Sequence, residues 1–193
     1  MTAHVAANAD ALGNLVQWAA TGTPTPMYAS AEERAAGITE GSRQPGSRLL
    51  DWLRLSAHAL EEAMDRLDET QWNAKVVTAQ GRTVPATEIP WMRAREVCVH
   101  AVDLDNGVTF ADLPADFLAA LCDDIVAKRG GAPGPDVVIK ATDTAAQWHL
   151  PGLNAPVGPV TGPLAQITAY LAGRDHSATT TAGAAVPELP AWL

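Results

Sequence analysis

The sequence is poor in cysteine, in basic residues and in long apolar runs, and each shortage excludes a class of protein. Its 193 residues include only Cys98 and Cys122, too few and too widely spaced for a disulfide framework or a cysteine zinc site. A formal charge of −9, without a cluster of Lys and Arg, argues against nucleic acid as a partner. No apolar run approaches the roughly 20 residues that span a bilayer, and residues 1–20 lack the basic start and continuous apolar centre of a signal peptide. We therefore expect a cytoplasmic protein without a membrane or nucleic-acid partner.

The residues that are present predict a sizeable core and two domains. Hydrophobic residues make up 47% of the chain, which is enough for one large or two small domains. Helical signals dominate residues 1–129, and the Gly- and Pro-rich stretch GGAPGP at 130–135 is typical of a linker. Beyond it, DVVIKATD and AAQWHL indicate short strands, and Pro163 begins a further helix. The sequence predicts an α+β protein: a helical bundle at 1–129, a linker, and a small α/β domain at 136–193.

Two helices of the predicted bundle carry apolar residues on one face. Residues 2–21 read as a helix closed by Gly22, and a long amphipathic helix follows a capping box at Ser30 and its short helix. The inward stripe of the first helix contains His4, Ala11, Leu15 and Trp18. The seam of the long helix contains Leu49, Leu53, Ala57, Leu60, Met64 and Leu67. A histidine on an inward stripe requires a partner.

A glutamate and a second histidine lie four residues apart in MRAREVCVHAVDL, residues 92–104. Side chains four apart share one face of a helix, so Glu96 and His100 could bind one ion. If His4 also faces inward, three polar groups are buried, which costs several kcal/mol unless something pairs them. Two histidines and one carboxylate with an open position form the ligand set of catalytic zinc, and also of some non-heme iron sites. Asp103, one turn beyond, could orient the second imidazole.

The same residues also allow simpler interpretations. Glu96 and His100 could be an ordinary surface pair of a helix, and His4 a hydrogen-bonded core histidine. The remaining histidines are weak candidates for ligands: His58, which lies among charged residues, His149 and His176. Spacing alone therefore leaves a metal site and a metal-free bundle both open.

Four stretches of the sequence together resemble the mycothiol-dependent maleylpyruvate isomerases of actinobacteria. They are HVAANADALGNLVQWAATGTPTPMY, TAQGRTVPATEIPWMRAREVCVHAVDL, AYLAGR and the closing PELPAWL. The resemblance covers nearly the whole chain, is specific in the first two stretches and is looser in the C-terminal part.

The resemblance implies a DinB-like up-down helical bundle that carries zinc, followed by a small α/β domain that helps to close the site. The family's zinc ligands correspond to His4, Glu96 and His100. Its two functional arginines, which act in catalysis and in binding the cosubstrate, correspond to Arg34, after PMY, and Arg174, at the end of the last helix. Without the resemblance, Arg34 could be an exposed helix residue and Arg174 a charge at a helix C-terminus.

One departure from the family concerns the N-terminus. The family has a further helix and loop before its first histidine, whereas this sequence starts three residues before His4. We therefore expect the bundle to lack the family's first helix, to expose an apolar seam, to hold a ligand near a fraying end, and to self-associate through that seam.

The function that the resemblance implies is the zinc- and mycothiol-dependent isomerisation of maleylpyruvate to fumarylpyruvate in aromatic catabolism, the gentisate pathway. The substrate is a small dianion, and mycothiol is the thiol cosubstrate. The alternatives are a mycothiol S-transferase that acts on another electrophile, and a metal-free interaction module. Zinc content distinguishes the metal-free module from the two enzymes, and recovery of free thiol distinguishes the isomerase from the S-transferase.

Overall fold

The computed structural model describes residues 1–130, 134–154, 156–180, 186–189 and 192, and it confirms the predicted α+β fold. The chain divides into two compact units, Met1–Leu104 and Asp105–Leu193. The first unit contains α1 (Thr2–Thr21), α2 (Ala31–Ser42), α3 (Gly46–Asp65), α4 (Glu69–Trp72), β1 (Lys75–Val77), β2 (Thr83–Pro85), a 3-10 turn (Ala86–Glu88) and α5 (Ile89–Asp103). The second contains a 3-10 turn (Phe110–Asp112), α6 (Ala115–Arg129), β3 (Asp136–Ala141), β4 (Gln147–Leu150), β5 (Pro156–Gly162), α7 (Leu164–Leu171) and β6 (Thr179–Thr180). Within the described part of the chain, each helix is too short or too polar to cross a membrane.

Helix α1 lies at the centre of the first unit. It packs against α2, α3 and α5, and its side chains Leu12 and Leu15 are fully buried. The helix ends at the predicted residue, because Gly22 adopts a left-handed φ of 72° and donates its N–H to the carbonyl of Trp18 at 2.8 Å. A side chain at that position would strain the backbone, which is why glycine terminates helices in this way.

The predicted seam of α3 is only partly covered. Leu60 and Leu67 are buried, whereas the other predicted seam residues are half-buried: Leu49, Leu53, Ala57 and Met64. Helix α3 packs chiefly against α1, so its apolar face is not enclosed by other helices of the described unit. Part of that face lines an apolar cavity of about 510 Å³ that reaches His100.

A small hairpin connects the bundle to α5. Strands β1 and β2 pair antiparallel with Val76 opposite Val84, and both side chains are buried in the same core cluster as Leu12 of α1. The 3-10 turn then leads directly into α5, whose first residue, Ile89, is fully buried in that cluster. The hairpin thereby anchors the start of α5 on α1 and determines which residues of the two helices face each other.

The second unit contains a four-stranded mixed sheet in the order β4-β3-β5-β6. Strand β3 is antiparallel to β4 and parallel to β5, while β6 is antiparallel to β5. The two strands expected from DVVIKATD and AAQWHL correspond to β3 and β4, but the sequence analysis did not predict β5 and β6. The sequence of β5, PVGPVTG, is rich in Pro and Gly, which are depleted in strands and conceal the pattern.

The division between the units falls at residues 104 and 105, earlier than the boundary expected at 130–135. Helix α6 packs against α7 and β4, so it belongs with the sheet rather than with the bundle. Cys122 of α6 is fully buried and lies 3.3 Å from the hydroxyl of Thr168 in α7. Residues 131–133 of the expected linker lie outside the described residues. The other cysteine, Cys98 of α5, is half-buried.

Candidate metal centre

Three side chains from two helices converge in the first unit. His4 lies in the first turn of α1, and Glu96 and His100 lie one turn apart on α5, which packs against α1. One ligating atom from each side chain lies within 4.8 Å of the others. The convergence that the inward stripes predicted is therefore observed, although 92 residues separate His4 from Glu96.

The carboxylate of Glu96 lies between the two imidazoles. Its Oε2 accepts a hydrogen bond from His4 Nε2 at 3.0 Å and lies 3.3 Å from His100 Nε2. The two imidazole rings pack edge to face, with centroids 4.8 Å apart and an angle of 86° between their planes. The side chains of His4, Glu96 and His100 are 19%, 13% and 6% exposed, so the cluster is largely shielded from water while one edge stays accessible.

The charges of the cluster stabilise one another. Burial by itself would raise the pKa of Glu96, but interactions with His100 and His4 lower the pKa of this carboxyl to about 2. Burial by itself would lower the pKa of His100, but the carboxylates of Glu96 and Asp103 raise it above its ordinary value. Without a metal, the site therefore holds an ionised carboxylate that attracts positive charge from both sides.

One imidazole nitrogen of the cluster, Nε2 of His100, is positioned as a metal ligand rather than as a hydrogen-bond partner within the protein. His100 Nδ1 donates to Asp103 Oδ2 at 2.8 Å, so the proton of the neutral imidazole lies on Nδ1 and the lone pair on Nε2. That Nε2 is buried and has no hydrogen-bond partner among the described residues. In the neutral imidazole this lone pair lies 3.3 Å from Glu96 Oε2, and two acceptors at that distance are stable only with a cation between them, either a proton or a metal ion. Two imidazoles, one carboxylate and a carboxylate behind one imidazole match the ligands and supporting residues of catalytic zinc sites.

Arg34 lies beside the cluster, on the outer side of His4. Its Nη2 donates to His4 Nδ1 at 3.4 Å, and its guanidinium lies 5.6 Å from the ring centroid of Tyr28. Burial raises the pKa of Tyr28, which keeps this ring a neutral phenol beside the cation. The structure thus brings the arginine predicted by resemblance next to a predicted ligand.

Arg93 also supports the cluster, and the sequence analysis did not select it. Its Nη1 donates to the carbonyl of Val5 at 2.6 Å and to Asn8 Oδ1 at 3.0 Å, which joins α5 to α1 next to His4. Burial lowers the pKa of Arg93, while the nearby Glu96 opposes that effect. The only signal in the sequence was its position three residues before Glu96, on the same face of the helix.

The other predicted residue, Arg174, lies in the second unit just after α7. Its Nη1 donates to the carbonyl of Ala172 at 2.6 Å and to that of Trp192. Together with Tyr170 and His176 it lines a small cavity of about 340 Å³. Its proposed role in catalysis stays a prediction.

The histidines that were expected to be weak candidates do not join the metal cluster. His58 is 68% exposed and lies near Glu61 and Glu62, as expected for a solvated helix surface. His149 pairs with Asp136 at 2.9 Å in the second unit.

Comparison with known proteins identifies relatives of this fold. A family model described as the mycothiol maleylpyruvate isomerase N-terminal domain matches residues 1–105. A crystal structure of the mycothiol-dependent maleylpyruvate isomerase is 41% identical in sequence to this chain. The alignment covers 99% of this chain and 80% of the crystallised one, with a TM-score of 0.90. A crystal structure of a mutant of that protein, with one histidine replaced by alanine, matches equally well: 41% identity, the same coverage of both chains and a TM-score of 0.90. No curated protein matches the chain.

Proposed function

Since this chain belongs to the mycothiol maleylpyruvate isomerase family, we propose that it is a metal- and mycothiol-dependent enzyme that isomerises maleylpyruvate to fumarylpyruvate. The observation that supports the proposal most directly is the convergence of His4, Glu96 and His100, with a buried imidazole nitrogen that lacks a hydrogen bond. These three residues would hold a zinc ion and leave a coordination position open for a further ligand.

The reaction requires a thiol that the chain itself does not supply. A cis double bond can become trans only if it is temporarily single, and a thiol achieves this by adding to the conjugated double bond and leaving after rotation. Burial raises the pKa of Cys122 to about 12 and also raises the pKa of the half-buried Cys98, so neither is a ready nucleophile. When bound, the metal supplies Lewis-acid chemistry that keeps an external thiol, mycothiol, in its deprotonated form. The thiol is restored, so its net consumption is zero.

The residues around the cluster have distinct roles in this proposal. Asp103 keeps the proton of His100 on Nδ1 and thereby keeps Nε2 available as a ligand atom. Glu96 contributes one negative charge that offsets the charge of the metal. Arg34 can donate to His4 Nδ1 only while that nitrogen carries no proton. If Nε2 were the ligand atom, the proton of His4 would lie on Nδ1, and the guanidinium of Arg34 would be available to another acceptor.

Positive charge is needed because substrate and protein are both anionic. The chain has a formal charge of −9 and the substrate carries two carboxylates, so local cations must attract the substrate and stabilise the negative charge that develops during addition. We assign this role to Arg34, beside the cluster, and to Arg174, as the resemblance implies.

The experiment that tests the proposal measures metal content, isomerisation and free thiol in the same preparation. We expect about one zinc per chain, conversion of maleylpyruvate only when mycothiol is added, and full recovery of free thiol at the end. His100→Ala should lose metal and activity, whereas His58→Ala, on an exposed helix surface, should retain both. Consumption of mycothiol with another electrophile, without isomerisation, would replace this proposal with an S-transferase. A preparation that binds no zinc would overturn both.

A further inference from the structure

We propose that a cavity next to Arg34 binds the neutral, polyol part of the thiol cosubstrate, the glucosaminyl-inositol group that mycothiol carries beyond its cysteine. This inference rests on the proposed function and adds a binding site to it. The cavity, called the hairpin cavity here, lies between residues 24–31, before and at the start of α2, and residues 77–81, at the turn of the β1–β2 hairpin.

The hairpin cavity is adjacent to the metal cluster, and Arg34 lies between them. Arg34 lines the cavity, and the same side chain donates to His4 Nδ1 at 3.4 Å. A molecule in the cavity therefore lies one side chain away from a predicted metal ligand. That placement suits a cosubstrate whose sulfur must reach the metal while the rest of the molecule is bound elsewhere.

The walls of the cavity are held in place by hydrogen bonds within the first unit. The amide of Asn14 donates to the carbonyls of Pro26 at 3.2 Å and Met27 at 3.4 Å, which fixes one wall to α1. The backbone N–H of Ala79 donates to Met27 Sδ at 3.3 Å, and the hairpin turn closes through Gly81 N–H to the carbonyl of Thr78 at 2.8 Å. The cavity is thus formed before any ligand arrives, as small-molecule sites usually are.

Size and lining favour a bulky neutral polyol. The volume of about 720 Å³ falls within the ~300–1,000 Å³ typical of small-molecule pockets. Trp18 and Tyr28 offer flat aromatic surface to the C–H faces of a sugar ring, while Thr78 and Gln80 offer hydrogen-bonding groups to its hydroxyls.

The charge of the lining separates the two ligands that must bind near Arg34, the anionic substrate and the neutral polyol. Among the described residues that line the cavity, Arg34 is the only charged one. Arg34 lies next to His4 and is the residue assigned above to the anionic substrate, whereas the rest of the described lining is uncharged and suits a neutral group. The other cavity that reaches the cluster, at His100, is lined mainly by apolar side chains of α1, α3 and α5 and offers a polyol few hydrogen bonds.

The test uses N-acetylglucosaminyl-inositol as the probe, in which an acetyl group replaces the cysteine and keeps the nitrogen uncharged. It is titrated by calorimetry into protein that contains neither metal nor maleylpyruvate. Ala79→Trp adds bulk at an exposed residue that lines the cavity, and Ala59→Trp, on an exposed face of α3 away from the cavity, is the matched control. We expect Ala79→Trp to weaken binding at least tenfold and Ala59→Trp to leave it unchanged. Gln80→Ala, which removes one hydrogen-bonding group, should weaken binding roughly threefold to tenfold.

A second measurement keeps the proposal separate from the proposed function. With zinc-loaded protein, Ala79→Trp should lower kcat/KM for isomerisation with mycothiol but not with N-acetylcysteine, which lacks the polyol. Equal affinity of wild type and Ala79→Trp for the probe, with both variants folded by circular dichroism, would overturn the cavity assignment. Because the titration contains no substrate, absence of isomerase activity would leave that binding result intact, and loss of probe binding would leave the isomerase proposal intact.

Discussion

Replacing Glu96 by glutamine tests the cluster in the absence of metal, because this carboxylate joins the two imidazoles. The side chain is 13% exposed, accepts a hydrogen bond from His4 at 3.0 Å and lies 3.3 Å from His100 Nε2. Glutamine keeps the size of the side chain and removes its charge. We therefore expect Glu96→Gln to change how the free energy of unfolding of the metal-free protein depends on pH.

The magnitude follows from the pKa of the carboxyl. Burial opposes ionisation, but His100 and His4 lower the pKa of Glu96 from the ordinary 4.5 to about 2. At ~1.36 kcal/mol per pKa unit, this difference stabilises the folded state by about 3 kcal/mol. Because the folded-state pKa is lower than the unfolded-state pKa, the contribution is present above about pH 4.5 and is lost as the pH falls towards 2.

His100 contributes with the opposite sign. Its pKa is raised above the ordinary 6.5 in the folded state, so its stabilising effect is full below that value and is lost as the pH rises through the raised pKa. The metal-free protein should therefore be most stable in mildly acidic solution. Added zinc should shift the optimum upwards, because ligand histidines bind a metal in their neutral form.

The assay is urea unfolding followed by circular dichroism, in the presence of a chelator, from about pH 7 to about pH 3. We expect wild type to lose about 2 kcal/mol more than Glu96→Gln between about pH 7 and about pH 3, because part of the contribution remains about one pH unit above the folded-state pKa. The control is Glu62→Gln: Glu62 is 50% exposed and pairs with Arg66 on the helix surface, an interaction worth ~1 kcal/mol at most. If wild type and Glu96→Gln lose stability in parallel, the cluster does not form in solution and the site has to be abandoned.

Three further changes separate the roles of the surrounding residues. Asp103→Asn should weaken zinc binding about 10- to 100-fold in a chelator competition, since it loosens His100, and unchanged affinity would show that Asp103 does not orient the ligand. Arg93→Met should lower the free energy of unfolding by about 1.5–3 kcal/mol and also lower zinc affinity, because the hydrogen bonds from α5 to Val5 and Asn8 are lost. A stability within ~0.5 kcal/mol of wild type would contradict this role of Arg93. Arg174→Ala should lower turnover by orders of magnitude while zinc content stays constant, and unchanged turnover would remove Arg174 from the mechanism.

Local features of the fold could be predicted from the sequence because they depend on neighbours along the chain. The end of α1 at Gly22, the cap of α2 at Ser30 and the start of α7 after Pro163 all follow from backbone preferences of single residues. The placement of Glu96 and His100 on one face of α5 is equally local, since it requires only the helical period. The exposure of His58 followed from the charged residues around it.

Features that depend on distant residues were predicted incompletely. Strand β5 contains two prolines and two glycines, and it is a strand because β3 and β6 pair with its two edges. The boundary between the units depends on which surface α6 covers, and its apolar pattern fits a bundle as well as a sheet. The partial exposure of the α3 seam likewise reflects which helices pack beside it.

The candidate metal centre shows the same division within one site. The sequence by itself determined that α5 presents a carboxylate and an imidazole one turn apart, and that α1 carries a histidine on its inward stripe. Only the tertiary structure decided that His4 meets this pair and that Arg93 joins α5 to α1. The reason is physical: helical periodicity assigns a face to each side chain, whereas the buried core that joins α1, the hairpin and α5 sets the rotation and height at which two faces meet.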